Sequence, residues 1–184
     1  FIILALIFWA ILFHSENSET IFESRRHRNK FSVNILTGLG VLCYVQLALG
    51  ALVAGIDAGR SYNDWPLMNG NWIPVDLFEY EPIIINFFEN SGLVQFNHIL
   101  TAYLLFIVVS IVWWANRRNP YLKIRVAAHY LMITVVIQMF LGIITVLYSA
   151  PLSLASLHQL TAILFILAYI NLFFKTFYPV SQKI

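Results

Sequence analysis

The sequence predicts an all-α integral membrane protein. The expected architecture is an antiparallel four-helix transmembrane bundle with a pseudo-two-fold internal repeat, preceded by the tail of another transmembrane helix. Three observations carry this. Of 184 residues, 60% are hydrophobic and 11% charged, against about 25% charged in a soluble domain. The runs 33–56, 90–116 and 126–174 hold no Asp, Glu, Lys or Arg. Two short motifs also recur in the same order. The apolar, aromatic-rich composition excludes a disordered, collagen-like or disulfide-stapled chain. A net charge of +2 without clustering argues against a nucleic-acid partner. The single cysteine, Cys43, forms no intrachain bridge and rules out a Cys-built zinc or iron–sulfur site from this chain alone.

Residues 1–13 are apolar but too short to span, and no basic n-region precedes them as in a signal peptide. They read as the tail of a truncated transmembrane helix in a C-terminal fragment. Residues 14–32 read as a basic inner-side loop. A bilayer span needs roughly 20 apolar residues, which places spans at 33–56, 94–115, 126–148 and 154–177 within a bundle over 33–177. The third charge-free run is long enough for two spans, and Ser149, Pro151 and Ser153 mark a tight turn inside it. Residues 178–184 form an inner-side tail.

The basic residues fix the expected orientation. Arg25, Arg26, Arg28, Lys30, Arg117, Arg118, Lys123, Arg125, Lys175 and Lys183 all fall on one side of this topology. Arg60 alone falls on the other, in a capping loop over 57–93 with Asp64, Asp76, Glu79, Glu81 and Glu89. The positive-inside rule makes the basic side the cytoplasm or mitochondrial matrix. The loop then faces the periplasm or intermembrane space.

The repeat lies in the spans. Gln46-Leu47-Ala48-Leu49-Gly50 matches Gln138-Met139-Phe140-Leu141-Gly142 as Q-x-x-L-G. His98 and His158 open two H-x-L-T-A-x-L segments on the following spans. A duplicated helix pair in the same orientation implies an axis along the membrane normal. That axis sets the two imidazoles at one depth, facing each other.

Ionisable side chains within spans usually face the interior and mark function. Two facing imidazoles with no carboxylate or thiolate at their depth suit an iron porphyrin with two axial histidines, while zinc would want further protein ligands. The competing reading is that each is an interfacial side chain. Thr101 and Thr161 share a face with their histidines and offer a bond to the second ring nitrogen, or back to their own helix. His14 and His27 fall in the inner loop among charged neighbours, His129 sits at the inner end of the third span with no partner at its depth, and all three read as structural or solvated.

Small residues line the first complete span: Ala48, Ala51, Gly55 and Gly59, and beside them Gly50, Ala54 and Ala58. They admit a neighbouring helix or a flat macrocycle. Phe96, Tyr103, Phe140, Tyr148 and Phe165 offer walls for a porphyrin, though plain packing is the commoner use. In the capping loop Trp65 and Trp72 suit the membrane–water boundary, and 82–88 reads as a short interfacial helix opened by Pro82. Arg60 is the candidate partner for heme propionates, with lipid headgroups as the alternative.

The stretch Gly50 to Gly59, the loop motif Tyr62-Asn63, Pro66-Leu67-Met68, Gly70 and Trp72-Ile73-Pro74, then Asn86, Phe88-Glu89-Asn90, Gln95-Phe96-Asn97-His98 and His158-Gln159 together resemble the C-terminal half of heme A synthase, of the mitochondrial and alphaproteobacterial type. The likeness covers about residues 45–165. It implies two tandem four-helix bundles, with heme O bound by an N-terminal bundle absent here. The C-terminal bundle would hold heme b through His98 and His158 as axial ligands of the iron. The implied reaction oxidises the C8 methyl of heme O to a formyl, giving heme A for cytochrome oxidase. No catalytic residue is then expected in this fragment. Ile99 stands where the family commonly has Arg, which shifts weight to Arg60. The expected surroundings are the lipid bilayer of a bacterial inner or mitochondrial inner membrane. A homo-oligomer is compatible with them, and the electron-transfer partner is left open. Two other classes fit the same residues: a stand-alone b-type electron-transfer cytochrome, and a cofactor-free membrane scaffold.

Overall fold

The computed structural model describes residues 1–179, whose regular elements are all helical, with no strand among them. Lys183 lies outside the described residues. In chain order the helices are α1 (Ile2–Ser15), α2 (Ser18–Ser24), α3 (Lys30–Gly55), α4 (Asn86–Glu89), α5 (Ser91–Asn116), α6 (Leu122–Leu147) and α7 (Leu152–Phe177). Single 3-10 turns add Arg25–His27, Ala58–Arg60 and Ile83–Ile85. α3, α5, α6 and α7 are each 26 residues long and apolar enough to cross a membrane. At 1.5 Å per residue each exceeds the roughly 30 Å hydrocarbon core. They begin up to four residues before the charge-free runs suggested. Lys30, Lys123 and Arg125 lie inside the helices, because backbone hydrogen bonding continues past the last apolar residue.

The segment 14–32, expected as a loop, holds α2, and the chain bends by 103° between α1 and that helix. Asn17 explains the start: its side chain accepts from the Glu19 N–H at 3.1 Å, an N-cap bond. Ile21 explains the persistence, since it is buried with Phe174 and Tyr178.

The chain folds as two compact units, and each long helix gives one end to each. The first unit comprises Phe1–Val41, Ile107–Ile137 and the described residues from Thr161 onward. Its core gathers aromatic side chains: Trp9 meets Phe174 edge-on with ring centroids 5.1 Å apart, and Phe174 lies 5.0 Å from Tyr178. The Tyr169 hydroxyl donates to the Leu36 carbonyl at 2.9 Å, and a Cβ on Gly40 would collide with that hydroxyl. Glu16 follows α1 and sets one carboxylate oxygen 3.1 Å from both Lys123 Nζ and Lys175 Nζ. Burial alone would raise its pKa. Hydrogen bonds and charge from the two lysines outweigh that and hold it below the ordinary 4.5.

The second unit is Leu42–Phe106 with Gln138–Leu160. It contains the whole loop 57–93. Met68 and Asn71 pair their backbones at 2.8 and 3.1 Å around Asn69 and Gly70. Both central residues have positive φ, 52° and 77°, the conformation that favours Asn-Gly in a tight turn. Asp64 accepts from the Asn69 and Gly70 amides at 2.8 and 2.9 Å, and these bonds lower its pKa. The turn from α6 to α7 is as tight as Pro151 and its serines suggested. Ser149 and Ala150 take φ of 59° and 48°, and the Ala150 N–H closes on the Thr145 carbonyl at 2.8 Å.

Candidate functional site

The site is built twice in the second unit. On α3, Gln46 and Gly50 are one helical turn apart and share a face. On α6, Gln138 and Gly142 repeat that arrangement. The α5 histidine, His98, lies against the first pair. Gln46 Nε2 is 3.1 Å from His98 Nδ1, 3.4 Å from its Nε2 and 3.3 Å from its carbonyl oxygen. On α7, His158 lies against the second pair, with Gln138 Nε2 at 3.2, 3.2 and 3.0 Å from the same three atoms.

The glycines complete each seat. A Cβ on Gly50 would lie 3.1 Å from His98 Cε1 and 3.7 Å from Nδ1, and a Cβ on Gly142 would meet His158 at the same two distances. Each imidazole therefore rests its Cε1 edge on bare helix backbone while a glutamine amide reaches its nitrogens. Gly50, read from sequence as the end of the Q-x-x-L-G repeat and as a small residue in a row, is a floor for His98. Gly55 in the same span has nothing within 4 Å of its would-be Cβ.

His129 shows the contrast. It is exposed, and its Nδ1 lies 2.7 Å from the Arg125 carbonyl of its own helix. His98 turns its ring nitrogens to another helix instead. The sequence offered Thr101 and Thr161 for that contact and passed over Gln46 and Gln138, although both stood in the repeat. A glutamine inside an apolar span was the available signal.

Buried amides hold the loop onto the start of α5. Gln95, 2% exposed, accepts from the Tyr62 N–H at 3.2 Å and donates to the Tyr62 carbonyl at 2.8 Å. Asn90 caps α5 by accepting from the Leu93 N–H at 2.9 Å and donates to the Asp76 carbonyl at 2.6 Å. Asn86 bridges the Tyr80 backbone at 2.9 and 2.7 Å. The Tyr62 hydroxyl bonds Asp76, and burial together with that carboxylate pushes its pKa up to about 12. Gln95 thus fixes the loop one turn ahead of His98. Arg60 ends the turn Ala58–Arg60 and is exposed. Phe140 and Tyr148 are exposed, Phe96 and Tyr103 half-buried, and Phe165 buried.

Two seated imidazoles fit a porphyrin iron. The macrocycle supplies four equatorial nitrogens, so only two protein donors are needed. Among the described residues no group of three His, Cys, Asp or Glu side chains gathers to make a protein-only metal cage. Gln46 Oε1 is buried without a partner, which shows a seat with polar capacity left over.

Fold and site define a polytopic helical membrane protein with a duplicated histidine seat. Residues 1–170 match the family of cytochrome oxidase assembly proteins, and the chain belongs to that family and is an integral membrane protein. Curated relatives are heme A synthases. That of Dinoroseobacter shibae is 42% identical over 184 residues, all of this chain and 48% of the relative. That of Paracoccus denitrificans is 42% identical over 163 residues, 89% of this chain and 43% of the relative. That of Nitrosospira multiformis is 44% identical over 133 residues, 72% of this chain and 37% of the relative. The chain spans about half the length of the curated relatives it matches. No solved structure matches it significantly.

Proposed function

We propose that this chain is the heme b-holding C-terminal half of a heme A synthase. His98 and His158 are the two axial ligands of one heme b, and the matched seats of these histidines carry the reading. The family membership and the heme A synthase relatives support it. The whole protein would oxidise the C8 methyl of heme O to the formyl of heme A, with heme O bound outside this chain. Held by these two histidines, the heme would supply one-electron transfer. The chain's own residues do the rest. His98 and His158 bind and orient, Gly50 and Gly142 admit the rings, and Gln95 with Asn90 secures the loop beside them. Arg60 is the cation of the loop that can meet the propionates. The basic ends face the cytoplasm or matrix, and the loop 57–93 faces the periplasm or intermembrane space.

The test is functional. A bacterium deprived of its heme A synthase should regain extractable heme A when the full-length protein is expressed. His98→Ala and His158→Ala should each abolish the recovery. Heme A restored equally by both variants would contradict the reading.

A further inference from the structure

We propose that Gln46 and Gln138 are positioning residues that hold the ring of each heme-binding histidine by bonding the nitrogen that keeps its proton. The inference rests on the two-histidine reading above. A neutral imidazole that gives Nε2 to a metal carries its proton on Nδ1, and that N–H needs an acceptor to hold the ring's tautomer and rotation. His129 finds such an acceptor in its own helix. At His98 the Gln46 amide nitrogen lies 3.1 Å from Nδ1 and 3.4 Å from Nε2, and at His158 the Gln138 amide nitrogen lies 3.2 Å from both, so each amide reaches whichever ring nitrogen keeps its proton.

An amide presents nitrogen or oxygen by a half-turn about its last bond. With Nε2 on iron, the oxygen faces Nδ1 and accepts its proton. At Gln46 that turn brings a buried oxygen lacking any partner to a donor. It gives up the amide's bond to the His98 carbonyl, which α5 already pairs through its own helical hydrogen bond. The glycine floor completes the device, because the Cε1 edge pressed on Gly50 or Gly142 leaves the ring little freedom to rotate. The motif Q-x-x-L-G is then a histidine clamp, used twice.

The test compares leucine with glutamate at each glutamine in the purified full-length protein. Gln46→Leu and Gln138→Leu remove the acceptor, while Gln46→Glu and Gln138→Glu keep the shape and strengthen it. Leucine should weaken heme affinity about ten- to a hundredfold, the scale for losing an outer-shell partner of a ligand. It should raise the midpoint potential and shift the low-spin electron paramagnetic resonance g values. Glutamate should retain the heme and lower the potential below that of the parent, since a carboxylate draws the Nδ1 proton and makes the imidazole a stronger donor. Potentials unchanged in both, or moving the same way in both, would overturn the clamp. A parent protein with no Soret band would instead overturn the two-histidine reading on which the clamp rests.

Discussion

Gly50 and Gly142 matter for the Cβ atoms they lack. A methyl at either position meets a histidine ring at 3.1 Å, so alanine displaces the ring slightly and valine displaces it further. Gly50→Val should weaken heme binding by about 1–3 kcal/mol, the usual penalty for overpacking. Gly55→Ala, with open space around it, should leave binding unchanged. Heme titration of the purified variants checks both. Arg60 is a smaller lever. Its side chain is exposed, so water screens any bond to a propionate, and Arg60→Leu should cost only about 1 kcal/mol of heme affinity. A larger loss would mean that the side chain becomes buried over bound heme.

The elements show how much was legible in the sequence. The spans were, because length and lack of charge leave few alternatives to a membrane helix. The matched placement of the two histidine segments was, because two motifs recur in the same order along the spans. The glutamine contacts were not: Gln46 and His98 are 52 residues apart, and only the packing of α3 on α5 joins them. Asn86, Asn90 and Gln95 stood in the sequence only as positions of the family resemblance; all are buried, with Asn86 bracing the loop internally and Asn90 and Gln95 pinning it to α5. α2 was missed because its signal is a single cap and one buried isoleucine. Glu16 gives that region a pH dependence. Its folded-state pKa is depressed, so its contribution to stability is full above the unfolded value near 4.5 and is lost as pH falls through the folded value. Acidification below about pH 4.5 should loosen α1, read as a change in Trp9 fluorescence with the other tryptophans replaced. Glu16→Gln should remove that pH dependence.

At the scale of the whole molecule, charge is segregated. In the described residues the first unit holds every Lys and Arg except Arg60, which stands in a loop with six carboxylates. That asymmetry underlies the proposed orientation. A cysteine at the exposed Asn71, in a protein with Cys43 replaced, should react with an impermeant thiol reagent in intact cells. Labelling that appears only after the membrane is breached would reverse the topology. The central claim is that two copies of one seat clamp a single heme b between His98 and His158. Low-temperature electron paramagnetic resonance of the oxidised protein, alongside heme quantitation, tests it most directly. The account predicts a low-spin bis-imidazole signal that disappears in the His98→Ala, His158→Ala double variant, with the loss of one heme b per chain. An unchanged signal and heme content in that double variant would contradict it.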